Sequence, residues 1–125
     1  MNLNQITIPV TDVIVSISFY EQLGLNCIVH THDDYARLEL PQGEATLSLT
    51  RVDKVTQGNG IKVYFECADI DEKVAFLESK GIHFDSAPED KTWLWREAHL
   101  RDPDGHHLIL FRAGTHRKNP PWRKK

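Results

Sequence analysis

The residue types able to do chemistry gather in the second half of the chain. His106 and His107 follow the turn-forming Asp102-Pro103-Asp104-Gly105, and the preceding run carries Trp93, Trp95, Glu97 and His99 at every second position. Lys62, Tyr64 and Glu66 repeat that spacing upstream. Alternate side chains of a strand share a face, which groups His107 with Ile109 and Phe111 and leaves His106, Leu108 and Leu110 on the other side. On the Trp-rich run, Leu94, Ala98 and Leu100 make the better helix-packing set, so Trp93, Trp95, Glu97 and His99 are expected to face the site. Such a surface offers metal-free acid–base chemistry, with Glu66, Glu97 or His99 as base and Lys62 stabilising a developing oxyanion. Its flat rings equally suit an organic molecule with rings or a cationic group, held by stacking and cation–π contact. Plainer roles compete. Trp93 and Trp95 could pack the sheet or a dimer interface, Lys62 could pair with Glu66 or Glu97, and His30, His32, His83, His106 and His116 read as surface histidines. No Ser–His–Asp order, phosphate-cradling glycine loop or Cys–His pair offers a nucleophilic rival.

These residues need a scaffold, and the chain supplies it by repeating itself. "QITIPVTDVIVSISFYEQLGL" and "KVYFECADIDEKVAFLESKGI" superimpose without a gap, with Asp12 on Asp69, Phe19 on Phe76 and Gly24 on Gly81, each displaced by 57. Each copy predicts a strand, an Asp that caps a helix, apolar residues at helical spacing, and a Gly where the helix stops. Asp69 with Glu72 reads as an Asp version of a capping box. Val13, Ile17 and Tyr20 form the buried stripe of the first helix, and Ile70, Val74 and Leu77 that of the second. Three strands follow each helix: "NCIVHT", "YARLEL" and "ATLSLTRV", then "IHFDS", "WLWREAHLR" and "HHLILF". "TQGNG", Thr56 to Gly60, is the hinge between copies.

The predicted architecture is α+β: tandem βαβββ modules forming a curved, mainly antiparallel eight-stranded sheet around a cleft. The modules span residues 1–55 and 61–111 of a single domain, followed by a basic C-terminal tail, 112–125. That tail carries six basic residues and no acid, leaving nine basic side chains against all eighteen acidic ones in residues 1–111. So acidic a body does not look like a nucleic-acid surface, and it would steer a cation toward its cleft. The tail could meet an acidic partner, fold back on its own body or a second subunit, or remain a disordered solubilising end. Cys27 and Cys67 form no CxxC pair or framework and read as reduced core thiols. With no targeting segment and no apolar run of spanning length, the chain is expected to be cytoplasmic and away from membranes.

The duplicated plan, with "FYEQLGL" closing the first helix and "REAHLRDPDGHHLILF" ending the second module, resembles the vicinal-oxygen-chelate superfamily. Glyoxalase I, extradiol dioxygenases, fosfomycin-resistance proteins and bleomycin-resistance binding proteins belong to that group. The resemblance covers roughly residues 3–112 and implies a fold more than an activity. Within it, "WLWREAHLRDPDG" is similar to the Trp-Gly-x-Arg-Glu-Phe segment and Asp-Pro turn of bleomycin-resistance proteins. Trp93, Arg96 and Glu97 match, whereas Leu94 and Ala98 depart. The resemblance places metal ligands on the first and last strands of each module, here at Gln5, Ser48, Lys62 and Ile109. An ammonium has no lone pair and isoleucine no donor, so no metal or other cofactor is expected. His107 and His99, two imidazoles without a carboxylate at ligand spacing, are a poor substitute.

The leading expectation is therefore metal-independent binding of a small aromatic or cationic compound by a homodimer. Its ligand contacts are expected among Gln5, Ser48, Lys62, Tyr64, Glu66, Trp93, Trp95, Glu97, His99, His107 and Ile109. The alternative is a lyase, isomerase or oxygenase with a relocated metal or a metal-free acid–base site.

Overall fold

The computed structural model describes residues 1–56 and 60–125. The middle of the expected hinge, Gln57 to Asn59, lies outside the described residues. The repeated plan is present: β1 (Gln5–Val10), α1 (Val13–Gln22), β2 (Asn26–Thr31), β3 (Tyr35–Glu39) and β4 (Thr46–Arg51), then β5 (Lys62–Glu66), α2 (Ile70–Ser79), β6 (Glu89–Asp90), β7 (Arg96–Arg101) and β8 (His107–Arg112). The strands are ordered β1-β4-β3-β2 and β5-β8-β7-β6. Eight strands thus form two four-stranded sheets, one per repeat, where one continuous sheet was expected.

Each sheet is mixed for one reason. The helix after the first strand carries the chain to the far edge, and two antiparallel steps bring it back beside its start. The last strand therefore runs parallel to the first, with Thr7 against Ser48 in one sheet and Tyr64 against Ile109 in the other. Two compact units result, Met1–Gly58 with Asp102–Asp104, and Asn59–Arg101 with Gly105–Lys125.

In the first unit Val13, Ile17 and Tyr20 are buried as the helical spacing predicts, together with Ile8, Val10, Ala36, Leu38, Leu47 and Leu49 of the sheet. Asp12 sits in extended conformation and its carboxylate accepts from the Val15 N–H, capping α1. Tyr20 is wholly buried, and its hydroxyl donates to Asp102 at 2.6 Å. Burial and the Asp102 charge push that phenol far above its ordinary range. Asp104 accepts from both the N–H and the hydroxyl of Thr11. The "DPDG" turn is therefore held by its carboxylates as well as by Gly105.

The second unit repeats this core with Val63, Ile70, Val74, Leu77, Ala98, Leu100, Leu108 and Leu110. The helix ends are alike. Gly24 (φ 108°) and Gly81 (φ 93°) adopt the left-handed conformation, and Leu25 and Ile82 reach back to the carbonyls of Tyr20 and Leu77. The helix starts differ. Asp69, at φ −114° and ψ 58°, is outside the capping geometry and makes no side-chain cap, so the expected capping box does not form. The first turn of α2 is instead fixed by Asp71, which receives two hydrogen bonds from Arg96, at 3.1 and 2.7 Å.

Two expected strands are shorter than drawn. "IHFDS" contributes a single bridge, Phe84 to Leu100, and regular pairing resumes only at Glu89. The Ser86 hydroxyl takes the His99 N–H there, and Pro88 has no N–H to continue a ladder. The Trp-rich strand begins at Arg96, because residues 91–95 form a turn. Leu94 is left-handed (φ 70°), its N–H bonds to the Lys91 carbonyl, and the Lys91 N–H bonds to the Trp95 carbonyl.

The segment beyond β8 folds back on its own sheet, one of the alternatives open from sequence. The N–H groups of Ala113 and Gly114 donate to Glu66 Oε2, each at 3.0 Å, and a 3-10 turn follows at Gly114–Arg117. His116, expected at the surface, is half-buried and its carbonyl accepts from Trp95 Nε1. Cys27 and Cys67 are free thiols, only half-buried, and burial pushes both up.

Candidate functional site

The helix-facing side of the second sheet is apolar and the opposite side is not, as alternation requires. Register sets Lys62 against His107, Tyr64 against Ile109 and Glu66 against Phe111 on one flank of β8. It sets Arg101 against His107, His99 against Ile109 and Glu97 against Phe111 on the other flank. The expected parity of β7 is therefore correct even though the strand starts late, and Trp93 joins this surface from the turn.

Two constellations occupy it. The first is aromatic: Tyr64 meets Trp95 edge-on at 5.9 Å and Phe111 edge-on at 5.4 Å, and Trp95 stacks on Phe111 at 4.8 Å. Ile109, Phe111 and Ala113 are buried beneath Trp95, while Tyr64 is 44% exposed and forms the open edge of this wall. Burial first, then the Glu97 charge, pushes the Tyr64 phenol up and keeps it a neutral donor.

The second is a hydrogen-bonded chain. Glu97 is only 2% exposed, yet both carboxylate oxygens are satisfied, Oε2 by Trp93 Nε1–H at 2.8 Å and Oε1 by His99 Nε2 at 2.9 Å. His99 Nδ1 in turn lies 2.7 Å from His107 Nε2. Spacing placed His99 and His107 on neighbouring strands. Their contact depends on the β7–β8 register, which steps them diagonally by one pair.

Burial lowers the proton affinity of His107, and the nearby Arg101, His99 and Lys62 charges lower it further against a smaller opposing effect of Asp85. Lys62 makes no ion pair among the described residues, so neither suggested pairing forms. Glu66 holds the backbone of Ala113 and Gly114, with Arg117 at 3.7 Å. Arg96 clamps Asp71 and Asp90. The three matching motif residues thus divide their work, Trp93 and Glu97 in the chain and Arg96 in the frame.

In the first unit Gln5 Oε1 accepts from the Thr46 hydroxyl at 2.9 Å. Ser48 is wholly buried and shares a 2.8 Å hydrogen bond with the Tyr35 hydroxyl, to which Arg37 Nε donates at 3.1 Å. The Ser48 bond, with Arg37 assisting, holds the Tyr35 phenol below its ordinary range. Sequence reasoning missed Tyr35 and Arg37, although their alternation with buried Ala36 and Leu38 already separated the two faces of β3.

A divalent ion does not fit the four positions that the resemblance marks. Gln5 Oε1 is a neutral amide oxygen that already accepts from Thr46, the Ser48 hydroxyl is sealed against Tyr35, Lys62 offers an ammonium, and Ile109 is a buried alkyl group, so fewer than three donors are present. Among the described residues no group of three or more His, Cys, Asp or Glu side chains is disposed to hold a metal ion. None of the described helices is long and apolar enough to cross a membrane.

A family model for the Glyoxalase/Bleomycin resistance protein/Dioxygenase superfamily matches residues 2–110. The uncharacterized protein YraH of Bacillus subtilis (strain 168) is 32% identical over 123 residues, spanning 87% of this chain and 95% of that protein. A glyoxalase/bleomycin resistance protein/dioxygenase structure from Nocardioides superimposes with a TM-score of 0.78 at 22% identity, over 100% of this chain and 90% of its own. A lactoylglutathione lyase from Agrobacterium tumefaciens gives 0.73 at 16% identity, over 89% and 92%. At those identities the two structures share the fold alone.

Proposed function

The chain belongs to the Glyoxalase/Bleomycin resistance protein/Dioxygenase superfamily, and from that premise we propose that it is a metal-independent binding protein for a small ring compound. One observation carries the reading: Tyr64 is an exposed ring braced edge-on by Trp95 and Phe111, on the same strand face as the buried Glu97 chain. A wall already ordered by its neighbours loses little side-chain freedom when a ligand ring packs on it. Of the two ligand classes the sequence admits, the neutral aromatic one is better supported. Each oxygen of the buried carboxylate that a cation would seek already accepts an N–H hydrogen bond, and only 2% of Glu97 is exposed. The likeness of Trp93, Arg96 and Glu97 to bleomycin-resistance proteins supports binding as the activity.

A thermal-shift screen of ring compounds on the full chain tests this reading, with any stabilising compound recovered and checked for chemical change. Stabilisation by a compound recovered intact is expected, with about tenfold weaker binding in Tyr64→Ala. Stoichiometric transition metal in protein purified without chelators contradicts the metal-independent part. A second reading, a metal-free lyase or isomerase, is favoured by the Glu97–His99–His107 chain. Conversion of the compound, lost in Glu97→Ala, selects it.

A further inference from the structure

The hydrogen-bonded chain in the second unit has a direction. Trp93 Nε1–H can only donate, and an ionised carboxylate can only accept. With Glu97 Oε2 taken by Trp93, Oε1 also accepts, so the hydrogen of that 2.9 Å contact belongs to His99 Nε2. A neutral His99 protonated at Nε2 has only a lone pair at Nδ1. The 2.7 Å contact is then donated by His107 Nε2, and neutral His107 is left with a bare lone pair at Nδ1. Among the described residues nothing donates to that nitrogen. His107 is partly exposed and sits about 7 Å along β8 from the position paired with Tyr64, since two residues of strand span that length.

We propose that His107 Nδ1 is a general base that takes a proton from a weak acid, a ring compound bearing an acidic O–H or N–H, held against Tyr64. This rests on the ring-binding reading and names the ligand class within it. In the step the O–H or N–H bond of the ligand breaks, its electron pair stays on the ligand, and the proton forms a new N–H at His107 Nδ1. The Nε2 proton of His107 passes to His99 Nδ1, and the Nε2 proton of His99 passes to Glu97 Oε1. Both imidazoles end neutral in the opposite tautomer. One negative charge has moved from the buried Glu97 to the ligand.

Two features favour that movement. Glu97 is joined to His107 through His99 by contacts of 2.9 and 2.7 Å. Lys62, exposed and opposite His107 in register, is placed to meet the new anion. The other groups facing His107 act on its readiness. Burial, Arg101 on β7 and Lys62 on β5 disfavour a standing imidazolium, with Asp85 opposing, so the base is neutral when the ligand arrives.

Two measurements on the full chain test the proposal and keep its failure separate from that of ring binding. Without ligand, two-bond proton–nitrogen NMR at neutral pH should find His99 and His107 both protonated at Nε2. Glu97→Gln should reverse both, because Trp93 still holds the amide oxygen and the amide NH2 must donate to His99 Nε2. His107 protonated at Nδ1 in the wild type, or no reversal in Glu97→Gln, overturns the relay and leaves ring binding standing. With 4-nitrophenol, whose ionisation is read by visible absorbance and whose binding is read by tryptophan quenching, the bound probe should ionise as if its solution were about one pH unit higher. His107→Gln should return whatever probe remains bound, as read by quenching, to the behaviour of free probe. Bound probe that ionises like free probe overturns the proposal alone; no quenching at all overturns ring binding and the proposal with it.

Discussion

The two sheets share a backbone plan and a helix-packing face, and they differ on the other face. In the first unit the polar side chains close on each other, Gln5 with Thr46 and Ser48 with Tyr35 and Arg37. In the second unit the chain from Trp93 through Glu97 and His99 stops at His107, whose outer nitrogen is unmatched by any described residue. A repeated module can keep the residues that fold it and change those that act, because alternation along a strand separates the two sets.

The shared half of this comparison is open to the largest effects. Leu49 and Leu110 stand at equivalent, buried places on β4 and β8. Leu49→Ala and Leu110→Ala should each cost about 3 kcal/mol in chemical denaturation. A nearly neutral result for either would show that the helix-packing faces are not equivalent.

The divergent half predicts unequal effects. Glu97→Ala strips the acceptor from Trp93 and His99 and should cost about 2 kcal/mol. Ser48→Ala removes one neutral hydrogen bond from a Tyr35 that keeps Arg37, and should cost about 1 kcal/mol. Ser48→Ala should also let the Tyr35 phenol titrate at higher pH, read by ultraviolet difference absorbance. Equal costs, or an unmoved Tyr35, would erase the contrast between closed and open faces.

A subtler difference is the dependence on acid. His107 binds its proton less readily in the folded chain than in the unfolded one, so the unfolded state takes up more protons as pH falls below about 6.5. Stability present above that value should decline as pH falls toward the depressed folded value. His107→Gln should flatten the slope, and an unchanged slope would mean that other groups set the acid sensitivity.

Sequence made the repeat legible because both helices need a stripe and a glycine stop, and those demands leave an offset of 57 that can be counted. It also revealed the parity of Glu97, His99, His107 and Ile109, since a buried face tolerates no slip of register. The division of the eight strands into two four-stranded sheets was not legible, and the second capping box and the early start of β7 were overdrawn. Strand pairing is a long-range choice, Asp69 departs from capping geometry, and the left-handed Leu94 is invisible to propensity. The His99–His107 contact was out of reach for the same reason as the sheet partition: it depends on how β7 and β8 are registered, with Arg101 against His107 across the turn.

The proposed ring compound would sit on the second sheet's exposed aromatic face. Amide and side-chain NMR of the full chain, titrated with a set of ring fragments, addresses that directly. Shifts concentrated at Tyr64, Trp93, His99 and His107 are the result predicted. Shifts confined to Tyr35, Arg37 and Ser48, or none with any fragment, would contradict it.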